Sequence, residues 1–170
     1  MVKDPKITAA LIYDFDGTLA PGNMQEYDFI PAVGQSNKEF WNDANSLAEE
    51  QDADMTLTYM AKMLDAARAR KLSLRREAFQ ESGRNITLFP GVKEWFGRIN
   101  AYAAERGVRV LHYINSSGLK EMIEGTPIAH EFRKIYACSF LYDVDGIAYW
   151  PGVAVNYTNK TQFIFKINKG

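Results

Sequence analysis

Apolar residues recur along this chain with two different periods, and the switches between them divide it. The run Ile7-Thr8-Ala9-Ala10-Leu11-Ile12-Tyr13 predicts a strand buried on both faces. After Leu19 the pattern lapses over 20–35, where Pro21, Gly22, Pro31 and Gly34 punctuate an irregular stretch. A helical period follows. Ser36-Asn37-Lys38-Glu39 reads as a capping box, with Phe40, Ala44, Leu47 and Ala48 on one face behind it. A second helix is predicted from near Asp54, with Leu57, Met60, Ala61 and Leu64 as its apolar stripe. Ser73 is the expected N-cap of a third, shorter helix that ends at Gly83.

The period changes again at Leu88-Phe89-Pro90-Gly91-Val92. Pro90 and Gly91 open a helix carrying Val92, Trp95, Phe96, Ile99, Tyr102 and Ala103, which Gly107 stops. Val108 to Ile114 predicts a second strand, ending at the polar turn Asn115-Ser116-Ser117-Gly118, with a helix from Leu119. Ile135 to Tyr142 predicts a third strand, and Asp143-Val144-Asp145-Gly146 a hairpin turn into Ile147-Ala148-Tyr149-Trp150. Asn159 to Lys166 reads as the first turns of a last helix. Strand, helix, strand, helix in this order implies an α/β fold with a parallel sheet and a β-hairpin near the C-terminus. The helical block over 36–83 has strands on both sides of it and is read as an insertion.

Composition narrows the class without choosing a function. The 170 residues are 46% hydrophobic and 24% charged, which suits one globular domain with a modest insertion. A net charge of −1 gives no global electrostatic case for nucleic acid or an anionic membrane. Cys138 is the only cysteine, so no intramolecular disulfide forms and a reducing compartment is expected. Met1 to Lys6 does not read as a signal peptide, and no apolar run is long enough to span a bilayer; a cytoplasmic location is the expectation.

Chemistry concentrates at two strand ends. Asp14 and Asp16 follow the first strand one residue apart, and Gly17 permits a sharp turn straight after. A carboxylate pair there is a poor core element but a good holder of a divalent cation and a phosphate. At the end of the second strand, the Ser116 hydroxyl and the backbone N–H groups near Ser117 form a candidate anion site.

Asp14-Phe15-Asp16-Gly17-Thr18-Leu19 resembles the first motif of the haloacid dehalogenase (HAD) superfamily of phosphotransferases. Ser116-Ser117-Gly118-Leu119 resembles the second motif, in the form found in its phosphoserine phosphatase-like branch, and Lys160 matches the lysine of the third. The resemblance implies a three-layer Rossmann-like core over 1–20 and 86–170, with a helical cap over 21–85. It implies an Mg²⁺-dependent hydrolase of a small phosphomonoester. Asp14 would be the nucleophile, forming an aspartyl-phosphate, and Asp16 the general acid/base. Asp14 and the Asp16 backbone would bind the metal, and Ser116, Ser117 and Lys160 the phosphate. The presence of Asp16 argues against the halide-removing members, which lack the second acid.

The family's fourth motif, an acidic cluster after a further strand, has no counterpart after Lys160. The core is therefore read as incomplete at its C-terminal end, leaving the first strand with an unpaired edge. Either the chain is a truncated form, or another copy or a partner covers that edge by association. Weak Mg²⁺ binding and poor turnover are expected, and a non-catalytic metal- or partner-binding remnant is the alternative.

The remaining features read as structure. Asp143-Val144-Asp145-Gly146 superficially repeats the first motif but lacks its Thr-Leu continuation, and it is taken as a turn. His112 and His130 show no ligand spacing, and His112 is expected in the core. The basic stretch from Arg68 to Arg76 is read as helix-terminal cations and a solvated face. Its sharper readings are an anion-attracting cap surface or a nucleic-acid contact. Phe40 and Trp41 are expected in the cap core.

Overall fold

Four strands form one sheet in the order β1 (Ile7–Tyr13), β2 (Val108–Leu119), β3 (Phe132–Tyr142) and β4 (Ala148–Val153). This is a computed structural model, and it describes residues 7–170. Met1 to Lys6, including the N-terminal stretch weighed above as a leader, lies outside the described residues. β1 pairs with β2 in parallel from Ile7↔Val108 to Tyr13↔Ile114, β2 pairs with β3 in parallel, and β4 returns antiparallel to β3. The expected hairpin turn is present: Asp143 Oδ1 accepts from the Asp145 and Ile147 N–H groups at 3.0 and 2.9 Å, and Gly146 sits at φ 74°.

The helices are α1 (Phe29–Ala32), α2 (Asn37–Glu50), α3 (Met55–Ala69), α4 (Arg76–Arg84), α5 (Val92–Ala104), α6 (Lys120–Gly125) and α7 (Lys160–Lys169). The capping box forms as expected, with Ser36 Oγ accepting from the Glu39 N–H while the Glu39 carboxylate accepts from the Ser36 N–H. Asp54 caps α3 by accepting from the Leu57 N–H at 2.9 Å. One apolar cluster runs from the insertion into the sheet: Phe40, Met60, Met63, Phe79, Ile114 and Met122 all belong to it, each at most 2% exposed. Each such side chain contributes about 1.5–3 kcal/mol of burial.

Several sequence expectations are corrected. β1 is not buried on both faces; it lies at the sheet edge, where Ile7 is 61% exposed. The stretch 20–35 contains a 3₁₀ turn at Met24–Glu26 and α1, both too short to set up a readable period. Leu57 points outward at 43% exposure, and α3 instead buries Tyr59, Met60, Met63, Leu64 and Ala67. Trp95 and Tyr102 on α5 are likewise exposed, while Phe96 and Ala103 pack inward.

The start and end of α4 also differ. Ser73 does not cap it; its Oγ accepts from the Arg75 N–H, and the backbone at 74–75 pairs with the hairpin through Ala148 N–H to Leu74 O at 2.8 Å. Gly83 does not terminate α4 but lets it touch α6. A methyl group there would stand 1.9 Å from the Met122 carbonyl oxygen, and one at Gly125 would stand 1.8 Å from the Gln80 carbonyl oxygen. The two helices meet backbone to backbone, which only glycine permits.

The basic stretch is exposed at Arg68, Arg70, Lys71 and Arg75, as expected for helix-terminal cations and a solvated face, and some of its cations also reach the hairpin. Arg68 donates to Tyr149 O at 3.2 Å and Arg75 to Asp145 O at 2.6 Å, both on the hairpin. Arg76 lies 4.2 Å from the Tyr142 ring centroid and 3.5 Å from the buried Glu121 carboxylate. His112 is a packed residue, as expected, at 4% exposure.

Candidate active site

The loop after β1 is wound around one carbonyl. Phe15 O accepts from the N–H groups of Thr18, Leu19 and Ala20 at 3.1, 2.8 and 3.3 Å. Gly17 takes φ 72°, a left-handed conformation that a side chain would resist, and its N–H donates to Ala20 O at 2.8 Å. The buried Phe15 ring anchors this loop in the core, leaving its neighbours Asp14 and Asp16 at the surface of one cavity. β1 ends at Tyr13, so it is the loop, not a continued pleat, that sets the two acids together.

Their environments differ. Asp14 keeps 42% of its side chain exposed; its Oδ1 accepts from the Phe15 N–H at 2.8 Å and its Oδ2 is ion-paired with Lys160. Asp16 is more enclosed, and its Oδ1 accepts from the Met24 N–H at 3.0 Å. Burial pushes the Asp16 carboxyl up to about 7; the Met24 N–H opposes this, while the charges of Asp14 and Glu26 add to it. Asp16 is thus suited to carry a proton near neutral pH.

β2 brings the polar turn to the same place. Pairing resumes at Leu119↔Cys138 after an irregular passage beyond Asn115, so the strand continues through 116–118 and α6 begins at Lys120, one residue later than expected. Ser116 is 1% exposed, and its Oγ accepts from the Gly118 N–H at 3.0 Å. A methyl group on Gly118 would stand 2.1 Å from Met24 Cε and 3.0 Å from Asp16 Oδ2, so the turn lies directly against the second acid. Ser117 lines the cavity, and its carbonyl accepts from Tyr59 OH at 2.7 Å, tying α3 to the turn.

Lys160 arrives from the far end of the chain. Asn115 Nδ2 donates to Lys160 O at 2.9 Å, pinning the start of α7 to the end of β2. Asn156, four residues before Lys160, donates its side-chain amide to Asp54 Oδ2 at 2.8 Å, so the loop is also tied to the cap of α3. Lys166 and Lys169 lie over the rings of Phe163 and Phe165 on their own helix. Asp14, Asp16, Ser116, Ser117 and Lys160 therefore converge.

The cavity measures about 240 Å³ and is closed on its other side by Asn23, Gln25, Trp41, Asn45, Thr56 and Tyr59. None of these was singled out from sequence as a cavity residue; Trp41 packs against the core, as expected, and also stands on the cavity wall with Nε1 donating to Glu26 at 2.8 Å. Signals for them were faint. Asn23 and Gln25 lie in the aperiodic stretch, and the others sit on helix faces whose stripe says nothing about a cavity. Asp14 and Asp16 offer hard oxygen ligands at one cavity, a donor type that fits a small divalent cation of the Mg²⁺ type. No group of three or more His, Cys, Asp or Glu residues arranged for a metal exists among the described residues.

No family model matches the chain. An uncharacterized protein of Borreliella burgdorferi is 30% identical over 189 residues, covering 95% of this chain and 65% of the relative. A HAD family hydrolase from Salmonella enterica serovar Typhi superposes with TM-score 0.66 at 14% identity, covering 94% of this chain and 50% of that one. A phosphoserine phosphatase solved as a phospho-aspartyl intermediate analogue superposes with TM-score 0.63 at 18% identity, covering 96% and 72%. The chain spans about two thirds of the length of the bacterial relative and half of the Salmonella hydrolase. Its fold is that of HAD-family hydrolases and phosphoserine phosphatases, with the hairpin β3–β4 at one side of a Rossmann-like sheet.

Proposed function

We propose that this chain is a phosphatase-type hydrolase that cleaves a small phosphomonoester through Asp14. The meeting of Asp14, Asp16 and Ser116 at one cavity, with Lys160 ion-paired to Asp14, carries the reading. The fold supports it, since the same architecture serves the phosphatases above.

In the first half-reaction an Asp14 carboxylate oxygen forms a bond to phosphorus while the bond from phosphorus to the leaving oxygen breaks. Asp16 gives its proton to that leaving oxygen, releasing an alcohol. In the second, Asp16 takes a proton from water, whose oxygen bonds to phosphorus as the Asp14–phosphorus bond breaks, releasing inorganic phosphate. The Ser116 hydroxyl proton is free to be donated to a phosphoryl oxygen, because its oxygen already accepts from the Gly118 N–H. The Lys160 ammonium offsets the charge that gathers on the phosphoryl oxygens.

Mg²⁺ would be held by the Asp14 carboxylate and the Asp16 backbone, and when bound it would supply electrostatic neutralisation of the phosphate. With two acids in place, binding of the metal is expected to be weak and turnover slow. The core of 1–20 and 86–170 carries the chemistry in this reading, and the helices of 21–85 cover it. The same reading puts the protein in the cytoplasm, in keeping with Cys138 as its only cysteine. No helix among the described residues is long and apolar enough to cross a membrane. The open outer edge of β1 supports self-association as a further property.

The test is hydrolysis of a chromogenic phosphate monoester during an Mg²⁺ titration. Metal-dependent turnover that disappears in Asp14→Asn is expected. Turnover that survives that substitution, or none with any phosphomonoester at any Mg²⁺ concentration, rejects the reading.

A further inference from the structure

Gln25 is the most informative residue of the cavity wall. It is 2% exposed, and its Oε1 is buried without any hydrogen-bond partner. An unpaired buried amide costs about 1–3 kcal/mol, which a native fold retains where a ligand supplies the missing bond. The residue lines the same cavity as the two catalytic candidates.

The charge around it is one-sided. No lysine or arginine is among the described residues lining the cavity. Asp14 and Asp16 line it, and Glu26 adds a third carboxylate close enough to act on Asp16. Lys160 is engaged by Asp14. A carboxylate or second phosphate on the leaving group would meet like charges and find no cation. An ammonium gains no partner from the wall beyond the two acids themselves: Glu26 does not line the cavity, and its Oε1 accepts from Asn23 Nδ2 at 2.7 Å and from Trp41 Nε1 at 2.8 Å.

What the wall offers is neutral. The amides of Gln25 and Asn45 present donors and acceptors together, which a hydroxyl matches with its own donor and acceptor. Trp41 gives an apolar surface beside them. A volume of about 240 Å³ falls below the ~300–1,000 Å³ of common ligand sites and calls for a small molecule. Resting on the phosphatase reading above, we propose that the leaving group is a small, uncharged, hydroxyl-bearing alcohol of the polyol or sugar class, recognised through Gln25. Amino-acid and hydroxy-acid phosphates would bring a carboxylate beside Asp14 and Asp16 with no lysine or arginine of the cavity lining to meet it.

The experiment measures binding by calorimetry to the Asp16→Asn chain, which keeps the Asp14 carboxylate and the backbone of residue 16 as metal ligands and lacks the acid that protonates the leaving oxygen. The probes are inorganic phosphate, glycerol 1-phosphate, O-phosphoserine, 3-phosphoglycerate and O-phosphoethanolamine, each with Mg²⁺. Glycerol 1-phosphate is expected to bind about ten-fold tighter than the three charged esters, a difference of about 1.4 kcal/mol. Gln25→Leu should shrink that preference to about two-fold. Equal affinities, a preference for an acidic or ammonium ester, or a preference untouched by Gln25→Leu overturns the proposal. The ranking is read without the Gln25 variant, so it decides the matter even if that variant does not fold. Binding of inorganic phosphate separates the two levels: if phosphate binds and the ranking fails, only the substrate class is wrong. If neither phosphate nor any ester binds, the phosphatase reading fails and takes this proposal with it.

Discussion

Asn115 donates its side-chain amide to the backbone carbonyl of Lys160 at 2.9 Å, so the strand that presents Ser116 also holds the helix that presents the lysine. The bond spans 45 positions of sequence and lies where β2 and α7 meet. Asn115→Ala removes it and leaves a carbonyl short of a donor. The expected cost is about 1–2 kcal/mol, seen as a drop of about 3–6 °C in Tm by calorimetry. Asn115→Asp, which cannot donate when ionised, should lose at least as much.

Asp16 trades stability for its environment. Its folded value is raised from 3.8 to about 7, so between those two pH values the folded chain holds a proton that the unfolded chain has released. The contribution of this group to stability is therefore fully present below about pH 4, is lost as pH rises toward 7, and is constant beyond. In EDTA, Asp16→Asn should be more stable than the natural chain by about 1–2 kcal/mol at pH 8, allowing for residual solvent around the carboxylate. The difference should vanish near pH 4. Thermal melts across that range check it.

His112 behaves in the opposite sense. Trp95 Nε1 donates to Tyr13 OH at 3.0 Å, Tyr13 OH lies 2.9 Å from His112 Nδ1, and His112 Nε2 lies 3.0 Å from Asn100 Oδ1. This relay of donors sets the imidazole neutral with its proton on Nε2. Burial lowers its pKa below the usual 6.5, against a smaller upward pull from Glu131. Above that unfolded value the contribution is complete, and it is lost as pH falls below 6.5 toward the depressed folded value. Stability measured by urea titration should decline on the acid side of pH 6.5 in the natural chain and less so in His112→Gln.

The crossing of α4 and α6 gives the sharpest mutational expectation. Gly83→Ala places a methyl group 1.9 Å from the Met122 carbonyl oxygen, and Gly125→Ala places one 1.8 Å from that of Gln80. Neither obstacle is a flexible side chain, so the helices must part. Each substitution should cost about 3 kcal/mol or more, whereas Gly97→Ala on α5, where nothing stands in the way, should be stabilising by a few tenths to about 1 kcal/mol. Denaturant midpoints of the three variants test the contrast.

The elements that could be read from the sequence are those whose residues obey a local rule. Ser36 and Glu39 close a capping box within a single turn, and the Asp145–Gly146 turn sits between two strand runs. Features that depend on distant partners could not be read in this way. Arg133 and Lys134 hid the first residues of β3, since their exposed side chains broke the apolar run while Phe132 and Lys134 paired with β2 across a bulge at Arg133. Leu57 and Trp95 fit helical stripes, but a stripe does not say whether a neighbour covers all of it. For the site, Asp14, Asp16, Ser116 and Lys160 stood at strand ends and in a recognisable order. Gln25 and Trp41 did not, because their positions follow from how the loop around Phe15 folds back against β2.

The ties between the insertion and the hairpin have one further consequence. On the hairpin side the atoms that hydrogen-bond to Arg68, Leu74 and Arg75 belong to the main chain: Tyr149 O, Asp145 O and Ala148 N; the Tyr142 ring under Arg76 is the side-chain contact beside them. The tips of β3 and β4 can therefore drift in sequence, or be redesigned, without cutting the attachment. The side-chain donors of these hydrogen bonds are Arg68 and Arg75, which makes these two, with the Arg76–Tyr142 pair, the residues to keep when the hairpin is used to carry a label or a graft.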